Sequence, residues 1–258
     1  MNSINEIKTI INKLINKNIP ITNIYYFNEI DSTNSFSKNL KLDNDEYNLV
    51  ISNKQTNGRG RLGRSFYSPE DTGIYMSFVY KNNKLSNPIN ITSIAAVAVT
   101  NAITEIMDID INIKWVNDLY YNNKKICGIL TEATTNPDTG ELDNIIVGIG
   151  LNISTTSFPN ELKEIATSIN LESSRKYELI ARIVNNLHYF LNNDNKNEFL
   201  SIYRNKSMVI GKDIYYYSNN IKYEATAIEI NDEGELVVED KNGNINVLRT
   251  GEITLRIK

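Results

Sequence analysis

Residues 55–64 read Gln-Thr-Asn-Gly-Arg-Gly-Arg-Leu-Gly-Arg, the densest concentration of chemically capable side chains in the sequence. Arg59, Arg61 and Arg64 supply planar, permanently charged donors that match a carboxylate or phosphate two bonds at a time. The intervening Gly58, Gly60 and Gly63 let backbone come close to a ligand. An anionic ligand is the natural inference. Gly58 to Gly63 also fits G-x-G-x-x-G, and Gly58 to Ser65 nearly fits a phosphate-binding loop with Arg64 in the lysine position. Both matches fail on context, because either motif must open a helix whose N-terminus meets the phosphates. Here Ser68-Pro69 leads instead into the strand-like run Gly73 to Tyr80. Taken alone, the loop could equally be a solvated charged segment or a nonspecific RNA contact.

What the chain lacks narrows the chemistry further. It holds 258 residues with a single cysteine, Cys127, and a single histidine, His188, so an intramolecular disulfide, a Cys-pair zinc site and most histidine chemistry are excluded. Lys and Arg number 27 against 31 Asp and Glu, and the net charge of −4 argues against nonspecific binding to a polyanion. The N-terminus has no signal-type apolar region, and the longest purely apolar run, Ile94 to Val99, is far too short to span a bilayer, so a cytoplasmic protein is expected. The abundance of Asn, Ile and Lys is spread evenly and carries no functional message.

The elements that must position the arginine loop follow from periodicity. Ile4, Ile7, Ile11, Leu14 and Ile15 predict an amphipathic leader helix over 4–18, stopped before Pro20. Asp31, Ser32 and Thr33 offer N-caps for a helix through Phe36 and Leu40. Strands are predicted at Asn48 to Ser52 and Gly73 to Tyr80, and a buried helix at Ile91 to Met107. Further strands fall at Ile111 to Trp115, Lys125 to Glu132 and Ile145 to Asn152, joined by turns at Asn122-Asn123 and Pro137 to Gly140. Helices are expected over 160–169, 174–193 and 196–205. Beyond Arg204 the texture becomes short strands, Asp213 to Tyr217, Ile221 to Ile230, Glu235 to Glu239, Ile245 to Leu248 and Glu252 to Ile257. Turns at Asn219-Asn220, Asp232 to Gly234 and Asn242-Gly243 separate them in the pattern of a small β-barrel, which puts a boundary near 206.

Four separated segments, in order, resemble the biotin protein ligases: NEIDSTN at 28–34, QTNGRGRLGR at 55–64, IKWVNDLYYNNKKICGIL at 113–130 and VGIGLNIS at 147–154. GEITLRIK at 251–258 resembles the family's closing strand. The resemblance implies an α/β (α+β) fold with a class II synthetase-like mixed, largely antiparallel sheet and a small C-terminal SH3-like barrel. It divides the chain into a leader helix over 1–24, a biotin- and ATP-binding catalytic domain over 25–205 and the barrel over 206–258. About 24 residues precede the resemblance, too few for a winged helix, so the form without a DNA-binding domain is expected. Two departures stand out: Val116 replaces the proline of the family's Lys-Trp-Pro-Asn-Asp, and Phe66 replaces a tryptophan.

The implied reaction joins biotin to AMP with loss of pyrophosphate, then passes biotin to a lysine of a biotin carboxyl carrier domain; biotin, ATP and Mg2+ are the implied ligands. A carboxylate nucleophile is ionised near pH 7 and needs no general base, which suits a chain with one histidine. By resemblance, Ser32, Thr33, Asn34 and Gln55 line the ureido end of biotin, with Arg59, Gly60, Arg61, Lys125 and Gly128 completing its site. Arg61, Arg64, Phe66, Asn117 and Asn152 belong to the nucleotide, and Lys125, Arg59 and Asp118 to catalysis; metal ligands are not assigned. Lys124 and Lys125 are neighbours on a strand, so only one can enter the site, and the spacing to Gly128-Ile129-Leu130 selects Lys125. Gly148 and Gly150 would let backbone approach the nucleotide. The plainer readings are an N-cap for Ser32 or Thr33, an Asx turn for Asp118, and core packing for Trp115, Cys127 and His188. The rival functions are a lipoate or octanoate transferase, a DNA-binding regulator and a catalytically silent biotin or nucleotide binder.

Overall fold

The structure, a computed structural model, describes residues 3–43, 46–81, 88–136, 138–193, 195–218, 221–249 and 254–257. The chain runs α1 (Ile4–Leu14), β1 (Ile21–Ile30), α2 (Thr33–Ser37), β2 (Tyr47–Gln55), β3 (Gly73–Lys81), α3 (Pro88–Thr104), β4 (Asn112–Lys114), β5 (Asp118–Tyr121), β6 (Lys124–Thr135) and β7 (Leu142–Asn152). It continues with α4 (Lys176–Asn192), α5 (Lys196–Asn205), β8 (Asp213–Ser218), β9 (Ile221–Ile230), β10 (Leu236–Asp240), β11 (Ile245–Leu248) and β12 (Thr254–Ile257).

The first seven strands form one sheet in the order β1-β2-β3-β7-β6-β5-β4. β1 and β2 pair parallel across the short crossover helix α2, and all other pairs are antiparallel. Alternation along the central strands separates the two faces. Met76 and Phe78 of β3 and Val147, Ile149 and Leu151 of β7 belong to the main core, together with Ala95, Ala98 and Ala102 of α3 and Ile180, Val184 and Leu187 of α4. The opposite face carries a smaller cluster of Val50, Val79 and Ile146 under Phe36 and Leu40. Beyond that cluster, its strands present Tyr75 and Ser77, Gly148 and Gly150, and Gly128 and Leu130 in register.

The remaining strands form a second, antiparallel sheet in the order β11-β10-β9-β8-β12. Around Trp115 the second sheet and α5 meet the first sheet: Trp115 Nε1 donates to Gly234 O in the β9–β10 turn at 3.1 Å, and Tyr203 Oη of α5 donates to Val116 O at 2.9 Å. Arg204 adds an ion pair to Asp232. Among the described residues no helix is long and apolar enough to cross a membrane.

Several elements differ from the sequence reading. The leader helix ends at Leu14 rather than 18, because Ile15 turns extended and Asn16 N takes Asn185 Oδ1 instead of continuing the helical ladder. α2 stops at Ser37. β1 and β5 are additional strands. Residues 160–169 form turns and an extended strap, not a helix. After one turn from Pro159, Ile165 O and Thr167 N pair with the backbone of Lys125, and Ile169 N with Asn152 O. The Asn219-Asn220 turn, Pro137 of the 137–140 turn, and residues 251–253 and 258 of the closing segment lie outside the described residues.

At the start of α4, Lys176 is almost fully buried and its Nζ donates to Asn53 Oδ1 at 3.2 Å. The cation sits at a helix N-terminus, where the dipole disfavours it, and burial lowers its pKa to about 8, against a smaller opposing pull from Asp71. The ordinary lysine value of the unfolded chain lies higher, so between the two the unfolded state holds more protons and stability rises with pH. Lys176→Met is therefore expected to raise stability at pH 7 by an amount on the order of 3 kcal/mol, with the advantage shrinking from pH 8 to pH 10. Paired urea melts at pH 7 and pH 10 measure this; a variant less stable than wild type at pH 7 would contradict it.

Candidate active site

The face left open by Gly128, Gly148 and Gly150 is the floor of a cleft of about 710 Å3, within the range usual for small-ligand sites. Gly128 and Gly150 are directly opposed on β6 and β7, and the Phe66 ring lies on both. A Cβ on Gly150 would fall 2.5 Å from Phe66 Cε1, and one on Gly128 3.3 Å from Phe66 Cε2 and from Lys125 Nζ. Gly148 opposes Ser77 on β3 and lies under the Asn34 amide, with which any side chain there would collide. These three glycines set how near the ring, the lysine and the amide come to the sheet.

One wall is neutral and polar. Ser32 caps α2 through Ser35 N, so it is both a cap and a cleft residue. Thr33 N donates to Gln55 Oε1 at 2.9 Å, and Gln55 Nε2 to Ser68 Oγ at 3.0 Å. Ser77 Oγ stands 2.8 Å from Thr33 Oγ1 and 2.7 Å from Asn34 Oδ1. The chain thus binds its own donors and acceptors into one network, which fixes the rotamers before any ligand arrives.

The other wall is charged. Lys125 Nζ lies 2.7 Å from Asp118 Oδ1, a pair brought together across β5 and β6. Asp118 therefore spends its side chain on Lys125 and not on an Asx turn. The bulge between Leu119 and Tyr120 and the strap at 165–167 hold the Lys125 backbone. Lys124 points away and donates to Lys163 O at 2.8 Å, as strand alternation requires.

The arginine loop folds as a small hairpin, with Gly60 N on Arg64 O and Phe66 N on Gly58 O, a 3-10 turn over Arg61–Gly63 at its tip, and no α-helix before β3. Arg61 Nη1 donates to Asn117 Oδ1 at 3.1 Å, while Asn117 Nδ2 is held by Ile129 O at 3.0 Å. Burial pushes the Arg61 guanidinium below its ordinary value, with nearby Asp118 working in the opposite sense. Arg59 pairs with Glu132. Asn152 Nδ2 donates to Thr167 O, and its buried Oδ1 has no hydrogen-bond partner among the described residues.

Every residue singled out above for biotin, nucleotide or catalysis lines this one cleft. The sequence reading missed Ser68, Ser77 and Glu132, which orient those residues from behind, and Met208 and Tyr215, which line the cleft from the C-terminal side. Ser77 and Glu132 carried a signal: each interrupts an apolar strand on the same parity as the glycines. Cys127 is fully buried in the core, where burial raises its thiol pKa, and His188 packs edge-on against Tyr47. A second, more open hollow of about 510 Å3 beside α4, lined by Glu105, Arg182 and Asn186 among others, contains none of the singled-out residues.

Among the described residues no three of His, Cys, Asp and Glu converge on a point, and Asp118 is the only carboxylate lining the cleft. These residues do not form a protein cage for a divalent cation. They fit a cation that arrives on nucleotide phosphates with most of its shell made of phosphate and water.

Residues 26–152 match the model of the biotin/lipoate A/B protein ligase family. The chain is 33% identical over 232 residues to the bifunctional ligase/repressor BirA of Bacillus spizizenii, a match covering 85% of this chain and 70% of that protein. It is 24% identical over 218 residues to the biotin–[acetyl-CoA-carboxylase] ligase of Mycobacterium tuberculosis, covering 80% and 77%. The structure superposes on a biotin protein ligase of Aquifex aeolicus in complex with biotin and ATP with a TM-score of 0.78 at 27% identity, covering 92% of this chain and all of that one.

The glycine floor yields a direct test. Gly150→Ala forces the Phe66 ring off the sheet and is expected to cost about 1–3 kcal/mol in thermal or urea melts. In a Phe66→Ala background the same substitution should be near neutral. Equal costs in both backgrounds would show that the ring does not rest on Gly150.

Proposed function

The chain belongs to the biotin protein ligases of the biotin/lipoate A/B protein ligase family, and from that premise we propose that this cleft converts biotin and ATP into biotinyl-5′-AMP and pyrophosphate, then transfers biotin to a lysine. The observation that carries the reading is the meeting, in a single cleft, of a neutral polar set with a cluster of cations held at fixed positions.

Thr33, Asn34 and Gln55 match the carbonyl and two N–H groups of a ureido ring, with the polar groups already oriented by Ser68 and Ser77. Lys125 and Arg59 take the biotin carboxylate and the α-phosphate. A carboxylate oxygen attacks phosphorus, the bond to the β-phosphate oxygen breaks, and pyrophosphate leaves with the electron pair. Since the nucleophile is already ionised, catalysis rests on alignment and on charge placed where it develops. Arg61 and Arg64 lie over the phosphates, Phe66 offers an aromatic face, and the unmet Asn152 Oδ1 suits an exocyclic amine such as that of adenine. Mg2+ would have to be carried by the ATP phosphates, since Asp118 is the only carboxylate among the residues lining the cleft, and it would supply charge neutralisation there.

In the second step the amine of an incoming lysine attacks the acyl carbon, an amide forms and AMP leaves. Asp118 is placed to accept the proton that the amine sheds, once ligand phosphate competes for Lys125. A biotin carboxyl carrier domain is the acceptor that this chemistry fits.

Radiolabelled pyrophosphate should exchange into ATP only when biotin is present; a folded protein showing no biotin-dependent exchange would remove the assignment. Lys125→Ala should cut adenylate formation by about 10²–10³-fold with little change in melting temperature, because the residue places charge and does not pack the core. Lys124→Ala, whose amine faces away, should leave the rate within about twofold. Similar losses from both substitutions would mean that the strand face is wrongly assigned.

A further inference from the structure

Glu132 sits on β6 two residues beyond Leu130 and four beyond Gly128, hence on the cleft side of the strand, yet it is not among the residues lining the cleft. Its carboxylate is the meeting point of three donors from two other elements. Lys38 Nζ and Arg59 Nη2 reach Oε1 at 2.8 and 3.1 Å, and Asn34 Nδ2 reaches Oε2 at 3.0 Å. Its side chain is 17% exposed. Burial works against its charge, but the hydrogen bonds from Lys38 and Asn34 and the charges of Lys38 and Arg59 outweigh burial and hold the carboxyl below the usual range.

Two consequences follow for residues that do line the cleft. The Asn34 amide has one possible direction: Nδ2 donates to both Glu132 and Leu130 O, while Oδ1 accepts from Ser77. Turning it over would set Oδ1 against a carboxylate and a carbonyl, two acceptor–acceptor contacts. The amide therefore keeps its remaining acceptor capacity on Oδ1, which is what a ureido N–H requires. Arg59, for its part, is tied to the sheet at the base of the arginine hairpin, next to the Arg59–Ser65 bridge. One carboxylate thus locks α2 and the arginine loop to the same strand that carries Lys125.

We propose that Glu132 is a positioning residue for biotin, holding Arg59 and the Asn34 amide in the orientation that receives the ligand without touching the ligand itself. The inference rests on the ligase reading given above. It places the effect of Glu132 in biotin affinity, through Asn34 and Arg59, and through Arg59 also in the adenylation step, while ATP affinity is left to other residues.

The test is Glu132→Gln, which keeps the shape of the side chain and removes its charge. Calorimetric biotin affinity without ATP, and KM for biotin in the exchange assay, should each weaken by at least about tenfold, with KM for ATP within about threefold. Lys38→Met leaves the Arg59 and Asn34 contacts in place and should alter biotin affinity by less than about threefold. If Glu132→Gln does not fold, Glu132→Asp keeps the charge but is one methylene too short to serve all three donors, and it too should weaken biotin binding more than ATP binding. Unchanged biotin affinity in the folded variant overturns the proposal, as does an equal loss of biotin and ATP affinity. Wild-type protein that binds no biotin at all would instead overturn the ligase reading, a result distinguishable before any variant is made.

Discussion

The absence of Cβ atoms at one spot on a seven-stranded sheet is the constraint on which the rest depends. Gly128 and Gly150 face each other across β6 and β7, with Gly148 one step along the same face. Phe66, Lys125 and Asn34 occupy the room that side chains would otherwise take. Their neighbours in sequence, Val147, Ile149 and Leu151, point to the opposite face and are core. A slip of one residue in the β6–β7 register would exchange the two faces, filling the cleft with isoleucine and leucine and exposing glycine to the core. Register is therefore fixed by the packing of α3 and α4 on the apolar face, and the site inherits its precision from the core.

On that floor the cationic groups are held by contacts within the chain. Arg61 leans on a neutral amide, Asn117, and Lys125 on a partly exposed carboxylate. Pre-placed charge of this kind costs little reorganisation when an anion arrives, which is what phosphoryl chemistry without a general base requires. The arrangement is asymmetric. Asn34, Thr33 and Gln55 are locked by direct hydrogen bonds to one another's neighbours, and the part-buried Arg61–Asn117 contact joins the arginine hairpin to the strand that carries Ile129. Both walls are held by contacts within the chain, the neutral one through the wider hydrogen-bond network.

Legibility in the sequence followed from how local the determining forces are. The central strands were readable because their apolar alternation is strong, and so was the rule that only one of Lys124 and Lys125 enters the site. The choice of Lys125 rests on its spacing to Gly128-Ile129-Leu130 in the resembling segment, since simple parity would put Lys124 with Gly128 and the bulge beside Leu119 is what reverses it. Residues 160–169 were misread because Leu162, Ile165, Ala166 and Ile169 have helical spacing, while the backbone there is claimed by Lys125 and Asn152, partners distant in sequence. β1 escaped notice because, at the sheet edge, most of its residues are not buried and its polar positions do not alternate cleanly. β5 is only four residues long and reads as the end of a turn. Glu132 and Ser77 stayed hidden for another reason: a polar residue on a strand reads as solvent-facing until the element covering it is known, here α2.

The most direct measurement is a crystal structure with a non-hydrolysable biotinyl-adenylate analogue. The ureido ring should meet Thr33, Asn34 and Gln55, and the acyl-phosphate mimic should lie about 3 Å from Lys125 Nζ with Arg59 and Arg61 turned onto it. The adenine amine should reach Asn152 Oδ1. An analogue bound away from the Gly128–Gly150 floor, or bound there with Lys125 making no contact to it, would contradict the account.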